Sequence, residues 1–147
     1  MIPFSPPRMD ERIVEEVTAA LTSGWITTGP RTKKFEAMLT TYGGHKSTLC
    51  VSSASAGLEL VLRWFGVKEG DEVIIPAYTY AATANVVVHC GAKPVFVDVD
   101  DDFNISIEAV KKAINPRTKV IMPVDIGGWP AKYDELNQLV QEPLHLI

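Results

Sequence analysis

Two runs of the chain, Val73-Ile74-Ile75 and Val120-Ile121-Met122, are apolar at every position and not at every second one. A strand with one face in water alternates apolar and polar residues, so these two must be covered on both faces, as in the parallel sheets of α/β proteins. The surrounding sequence fits that demand. Short apolar runs at 48–52, 72–75, 94–97 and 119–124 predict strands, and stretches of helical period at 55–65, 79–90, 107–114 and 133–140 predict the helices between them. The order βαβαβαβα predicts an α/β fold: a mostly parallel sheet with helices on both faces. Residues 141–147, with Pro143 among them, receive no element.

Ahead of this string lie two helical stretches. Residues 10–23 carry Ile13, Val14, Val17, Ala20 and Leu21 at helical spacing, with Asp10 placed to cap and Gly24 to stop the helix. Residues 32–42 carry Phe35, Met38, Leu39 and Tyr42 and end at Gly43-Gly44. Between them, Gly24-Trp25-Ile26-Thr27-Thr28-Gly29-Pro30 has no period and many local hydrogen-bonding groups, which predicts a shaped loop.

Composition narrows the functional classes. The formal charge of the 147-residue chain is -4, and no basic run exceeds two residues, which argues against nucleic-acid binding through a basic face. Apolar stretches are broken well short of the roughly 18 residues of a membrane span, and residues 1–12 lack the pattern of an export leader. The expectation is a cytoplasmic protein without a membrane segment. Cys50 and Cys90 are too few for a disulfide framework and read as small buried side chains.

Candidate chemistry gathers where strands are predicted to end, the edge at which open α/β sheets bind ligands. At Cys50-Val51-Ser52-Ser53-Ala54-Ser55-Ala56-Gly57, a strand is expected to pass directly into a helix through small hydroxyl residues. Free N–H groups of a first helical turn attract anions, and small side chains let a phosphate approach them. A plain serine N-cap explains the same residues. Tyr78 and Tyr80 follow the next strand, where an aromatic ring either stacks on a flat ligand or packs in the core. Asp98, Asp100, Asp101 and Asp102 crowd the turn after the third strand and read as solvated or capping groups before a metal site. Asp125 ends the fourth strand beside Gly127-Gly128. His45, His89 and His145 have no partners at metal-ligand spacing, so no metal is expected.

Several of these segments, taken in order, resemble the DegT/StrS-type sugar aminotransferases, pyridoxal-phosphate (PLP) enzymes of the aspartate-aminotransferase fold. The resemblance covers about residues 2–140. It is carried by Ser23-Gly24-Trp25-Ile26-Thr27-Thr28-Gly29-Pro30, Phe35-Glu36, Ser53-Ala54-Ser55-Ala56-Gly57-Leu58, Gly70-Asp71-Glu72-Val73-Ile74-Ile75-Pro76, Tyr78-Thr79-Tyr80-Ala81-Ala82-Thr83-Ala84-Asn85, the run from Gly91-Ala92-Lys93-Pro94 to Asp100, and Pro116-Arg117-Thr118-Lys119 before Pro123-Val124. It implies that PLP is the cofactor, that the family's phosphate-binding turn falls on Ser55 and Ala56, and that its ring-stacking aromatic falls on Tyr80. Thr27 and Thr28 fall on a family segment bordering the active site and are the implied substrate-binding residues.

The family's carboxylate for the pyridine nitrogen and its cofactor-anchoring lysine both lie later in the chain than Ile147. No catalytic residue is therefore matched, and the nine lysines present fall outside that motif. The resemblance implies the N-terminal part of an enzyme that moves an amino group, with glutamate as donor, to a nucleotide-linked keto-sugar in cell-surface polysaccharide biosynthesis. Residues 1–44 are expected to form a helical arm with an active-site loop, and 45–147 an incomplete α/β PLP-binding large domain. The chain is expected to be inactive alone and to form a homodimer. Two other readings stand beside this one, a non-catalytic binding or assembly module and a PLP-dependent sugar dehydratase of the same fold. Where many members have His after Pro-Val, this chain has Asp125.

Overall fold

The computed structural model describes residues 5–147, so residues 1–4 of the expected arm lie outside the described residues. The chain divides into two compact units, one running to Cys50 and one beginning at Val51.

In the first unit, helix α1 (Glu11–Thr22) opens on Asp10, whose carboxylate accepts the Ile13 N–H at 3.2 Å. Gly24 then turns the chain at φ 72°, a conformation glycine adopts without penalty. Helix α2 (Pro30–Gly43) begins with proline, whose missing N–H costs nothing at a first helical turn. It stops at Gly44, which sits at φ 65° and donates to the carbonyls of Thr40 and Thr41. Both helices form where their periodicity predicts them, yet none of residues 5–50 is buried. The apolar stripes of Val14, Val17 and Leu21 and of Phe35, Met38 and Tyr42 all remain exposed.

Residues 48–52, expected as a strand, are not one. No strand among the described residues offers them a ladder, and local groups take their polar atoms instead. The Cys50 N–H donates to the Glu36 carboxylate at 2.9 Å, and the Thr40 and Thr48 hydroxyls bond at 2.9 Å. Cys50 is consequently half-buried and not the core residue expected, whereas Cys90 is buried.

The second unit follows the predicted alternation: α3 (Ala54–Trp64), β1 (Glu72–Pro76), α4 (Ala82–His89), β2 (Lys93–Val97), α5 (Ile107–Ala113), β3 (Thr118–Ile121), α6 (Tyr133–Leu139) and β4 (His145–Leu146). The strands form one sheet in the order β2-β1-β3-β4, and every pair is parallel. Strand β4, two residues long, pairs Val120 with His145 and Ile121 with Leu146, in a segment to which the sequence assigned no element.

Burial explains the unbroken apolar runs. Val73, Ile75, Val120 and Met122 join Leu62 of α3 and Val86 and Val87 of α4 in one cluster. Ile74 and Ile121 join Ile105, Val110 of α5 and Leu136 of α6 in the other. Alternate residues of one strand thus enter opposite clusters, and both faces of β1 and β3 are covered.

At the start of β1, Glu72 is 3% exposed and holds three neighbours together. It accepts bonds from Asn115 at 2.7 Å and from Arg117 at 2.8 and 3.1 Å, and it pairs with Lys93 at 3.5 Å. The Asn115 amide and then the Arg117 guanidinium hold its carboxyl below the usual carboxylate range, against the opposing effect of burial.

Candidate functional site

At the start of α3 the serine-rich sequence divides its labour. Ser53 is extended and serves as N-cap, its hydroxyl accepting the Ala56 N–H at 3.1 Å. Ser55 lies half-buried in the first turn, and neither its N–H nor its hydroxyl has a hydrogen-bond partner among the described residues. Ser53 is therefore the cap, and Ser55 keeps its donors unbonded at the positive end of the helix dipole.

Tyr80 stands after β1, just before α4, and is 83% exposed. Its ring is not packed in the core of this chain. Its backbone is held, since the Tyr80 carbonyl accepts the Thr83 N–H at 3.0 Å and the Thr79 and Thr83 hydroxyls bond at 2.8 Å beside it. Helix α3, whose first turn holds Ser55, and helix α4, which follows Tyr80, pack on each other, but no hydrogen bond joins the two residues. Tyr78 turns instead to Phe103, with ring centroids 5.3 Å apart.

Thr27 and Thr28 belong to the other unit. Both are exposed, in a loop closed by the Trp25 indole N–H, which donates to the Thr28 carbonyl at 3.1 Å. Gly29 makes that closure possible, because a Cβ there would collide with the indole ring, 2.7 Å from Cε2. Thr27 lines a groove of about 550 Å³ with Trp25, Ile26, Pro30, Arg31 and Lys34. Thr28 does not line it. Arg31 is ion-paired with Glu16 of α1.

Asp125 is tied into its own loop. One carboxylate oxygen accepts the Ala131 N–H at 3.0 Å and the Tyr133 hydroxyl at 2.9 Å. Burial, followed by the hydrogen bond to Asp125, pushes the Tyr133 hydroxyl up from its ordinary pKa. The same loop is gripped by Asn104, which is 2% exposed. Its amide donates to the carbonyls of Trp129 and Pro130 at 3.3 Å, and its oxygen accepts the Ile126 N–H at 3.4 Å. Sequence reasoning missed Asn104, since a single asparagine after an acidic run carries no distinguishing signal.

The acidic run itself is occupied with structure. Asp98 accepts the Val99 N–H, Asp102 accepts the Asn104 N–H, and Asp100 pairs with Lys132 at 2.8 Å. His89 closes α4 with its Nδ1 3.2 Å from the Glu59 carboxylate, which also takes two bonds from Arg63. Those bonds, Arg63 first, keep Glu59 below the usual carboxylate range. Glu108 and Asp100 likewise raise the pKa of Lys111 and Lys132 through direct hydrogen bonds, which keeps both amines protonated and poorly nucleophilic.

Comparison with known proteins places this arrangement in a family. Spr1654 of Streptococcus pneumoniae, assigned as a sugar aminotransferase, is 48% identical in its PLP form, with a TM-score of 0.91 over 95% of this chain and 36% of that one. Its PMP form matches with a TM-score of 0.90. DesV of S. venezuelae is 35% identical, with a TM-score of 0.84 over 92% of this chain and 38% of its own. The uncharacterized protein MJ1066 of Methanocaldococcus jannaschii is 44% identical over 142 residues, which are 96% of this chain and 37% of that protein. The chain therefore spans a little over one third of the length of these relatives. The α/β unit with its parallel sheet is the architecture it shares with these PLP enzymes. Residues 7–145 match the family model itself, and the chain belongs to the DegT/DnrJ/EryC1/StrS aminotransferase family.

Proposed function

We propose that this chain forms the N-terminal part of a PLP-dependent aminotransferase that moves an amino group from an amino acid, glutamate, to a nucleotide-linked keto-sugar. The observation that carries the reading is the free pair of donors on Ser55, at the N-terminus of α3, in a chain 48% identical to a relative with a PLP form. The residues fit the cofactor's phosphate: the Ser55 N–H and hydroxyl stand ready, and the Ala56 N–H becomes available once the Ser53 hydroxyl lets it go. Tyr80, exposed on a held backbone, is suited to lie against the cofactor ring. When bound, PLP supplies the electron sink that amino transfer needs. Thr27 and Thr28 would meet the sugar. In this reading residues 1–44 are the arm and 45–147 the PLP-binding part, the protein works in the cytoplasm as a homodimer, and the chain by itself is inactive.

A second reading, a non-catalytic assembly module, draws on one observation, the absence of any buried residue in 5–50 despite two amphipathic helices. Sedimentation tests association for either reading.

The cofactor proposal is tested by titrating the chain with PLP and with pyridoxal lacking the phosphate. Ser55→Ala should weaken PLP about tenfold, the scale of one hydrogen bond to a charged group, and leave pyridoxal unchanged. Equal binding of the two, or no effect of Ser55→Ala, overturns the phosphate assignment. Borohydride reduction that labels one lysine stoichiometrically, with measurable amino transfer, overturns the inactivity of the isolated chain.

A further inference from the structure

One corner of the second unit is built against the preference of its own residue. Phe103 sits at φ 64°, a left-handed conformation that strains a bulky side chain and that glycine or asparagine ordinarily supplies. The turn demands it: the Phe103 N–H donates to the Asp100 carbonyl at 2.9 Å, the Asp100 N–H donates to the Asn104 carbonyl at 2.9 Å, and Val99 forms an antiparallel bridge with Ile105. Asn104 and Ile105, both buried, anchor the corner from behind. The Phe103 ring is 54% exposed, so burial in the core does not offset the strain. Its aromatic partner is Tyr78, tilted at 42° to it, and a pair of this kind gains about as much as the strained backbone loses. Glycine would form the same turn with less strain, so what phenylalanine adds here is the contact with Tyr78 and not stability.

Tyr78 lies in a stretch with few ties of its own. The Ala77 N–H donates to the Val97 carbonyl at 2.8 Å, and the next backbone bond is the one from Thr83 to the Tyr80 carbonyl. Between them the N–H groups of Tyr78, Thr79 and Tyr80 have no partner among the described residues, which leaves the Thr79–Thr83 hydroxyl pair and the Tyr78–Phe103 rings as ties. We propose that Phe103 is a positioning residue of the cofactor site: its ring, carried on a strained and anchored corner, holds Tyr78 and thereby the backbone from which Tyr80 projects. This role rests on the reading that Tyr80 lies against the cofactor ring. It concerns the ring half of the cofactor, as Ser55 concerns the phosphate.

The test compares Phe103→Tyr, Phe103→Ala and Phe103→Gly in the full chain and reads stability, order and binding separately. Phe103→Tyr keeps the ring and should match the wild type throughout. Phe103→Gly relieves the strain that Phe103→Ala keeps, so its urea midpoint should stand above that of Phe103→Ala. Both lack the ring, and in both the NMR order parameters of the Thr79 and Tyr80 amides should fall from about 0.85 toward about 0.6. The Kd values of PLP and of pyridoxal should rise alike in both, about threefold, whereas Ser55→Ala acts on PLP alone. Tyr78→Ala should loosen the segment as much as Phe103→Ala, and the double variant no further.

Order and affinity that follow the urea midpoint, lost in Phe103→Ala and kept in Phe103→Gly, make Phe103 a structural residue and overturn the proposal. Unchanged order in Phe103→Gly, additive effects of Tyr78→Ala and Phe103→Ala, or loosened order with unchanged pyridoxal affinity each overturn it as well. Should Phe103→Ala fail to fold, Phe103→Gly and Tyr78→Ala carry the same readings. The two levels separate cleanly. PLP binding that is indifferent to Phe103 leaves the cofactor reading standing without this residue. Failure of the wild type to bind either PLP or pyridoxal removes the cofactor reading and with it the cofactor role of Phe103, and the order parameters then decide the tie between Phe103 and Tyr78 by themselves.

Discussion

Leu62 and Leu60 lie on the same helix two residues apart, and the fold treats them oppositely. Leu62 is fully buried against both central strands and α4, and it is the one buried residue of α3, while Leu60 is 49% exposed. Leu62→Ala removes about three carbon groups from a closed cluster. At about 0.8 kcal/mol per buried methylene the transfer loss alone is about 2.4 kcal/mol, and the cavity left behind brings the expected cost to about 3–4 kcal/mol. Leu60→Ala removes the same groups from a half-wetted site and should cost about 1 kcal/mol. Helix propensity favours alanine equally in both, so it cancels in the comparison. Urea unfolding followed by far-UV circular dichroism measures both, with an unchanged slope confirming that the unfolding unit is the same. Equal costs for the two variants, or a cost below about 1.5 kcal/mol for Leu62→Ala, would refute the claim that Leu62 is the main anchor of α3 on the sheet, with half-buried Leu58 beside it in the same cluster.

Three further outcomes follow from the polar contacts. Ser53→Ala removes the α3 cap and should cost about 0.5–2 kcal/mol in urea unfolding, yet it frees the Ala56 N–H and should not weaken PLP; a loss of PLP affinity matching that of Ser55→Ala would contradict the division of roles. Because the pKa of Glu72 is lowered by folding, its stabilisation is fully present above the usual carboxylate range and is lost as pH falls through the lowered value. Glu72→Gln should therefore flatten the acid limb of stability against pH, and a limb of unchanged steepness would count against it. Asn104→Ala strands two carbonyls and one N–H of the 126–130 loop and should cost about 1–3 kcal/mol, read by the urea midpoint, with a shift under half of that range telling against the grip described.

The second unit was legible because its signals are local. Val73-Ile74-Ile75 demands two covered faces whatever surrounds it, and the helical periods of 55–65 and 107–114 recur almost to the residue in α3 and α5. What failed depended on partners far along the chain. Residues 48–52 have strand composition but no ladder to join, and β4 is two residues long and exists through its pairing with β3. The site was legible to the same depth. Small residues before a helix fit an anion-binding turn or a plain cap alike, and only the structure separates Ser53, which spends its hydroxyl on the cap, from Ser55, which does not. Tyr80, which the sequence leaves open between stacking and core, is exposed in this chain. The sequence also shows Asp125 without its partners Ala131 and Tyr133, so a residue bound into its own loop looks like one facing a ligand.

The absence of buried residues from 5–50 has a consequence for amide exchange. Helices α1 and α2 are closed by their own backbone bonds and a few side-chain caps, so their opening free energies should lie near zero while the amides of β1 and β3 report the global value. Deuterium uptake by the isolated chain should thus fall into two classes that change over at about residue 50. Any surface that covers the Val14, Val17 and Leu21 stripe or the Phe35, Met38 and Tyr42 stripe must slow exchange in the fast class alone. The factor of slowing, converted to free energy, then measures how much of the arm's order is supplied from outside it.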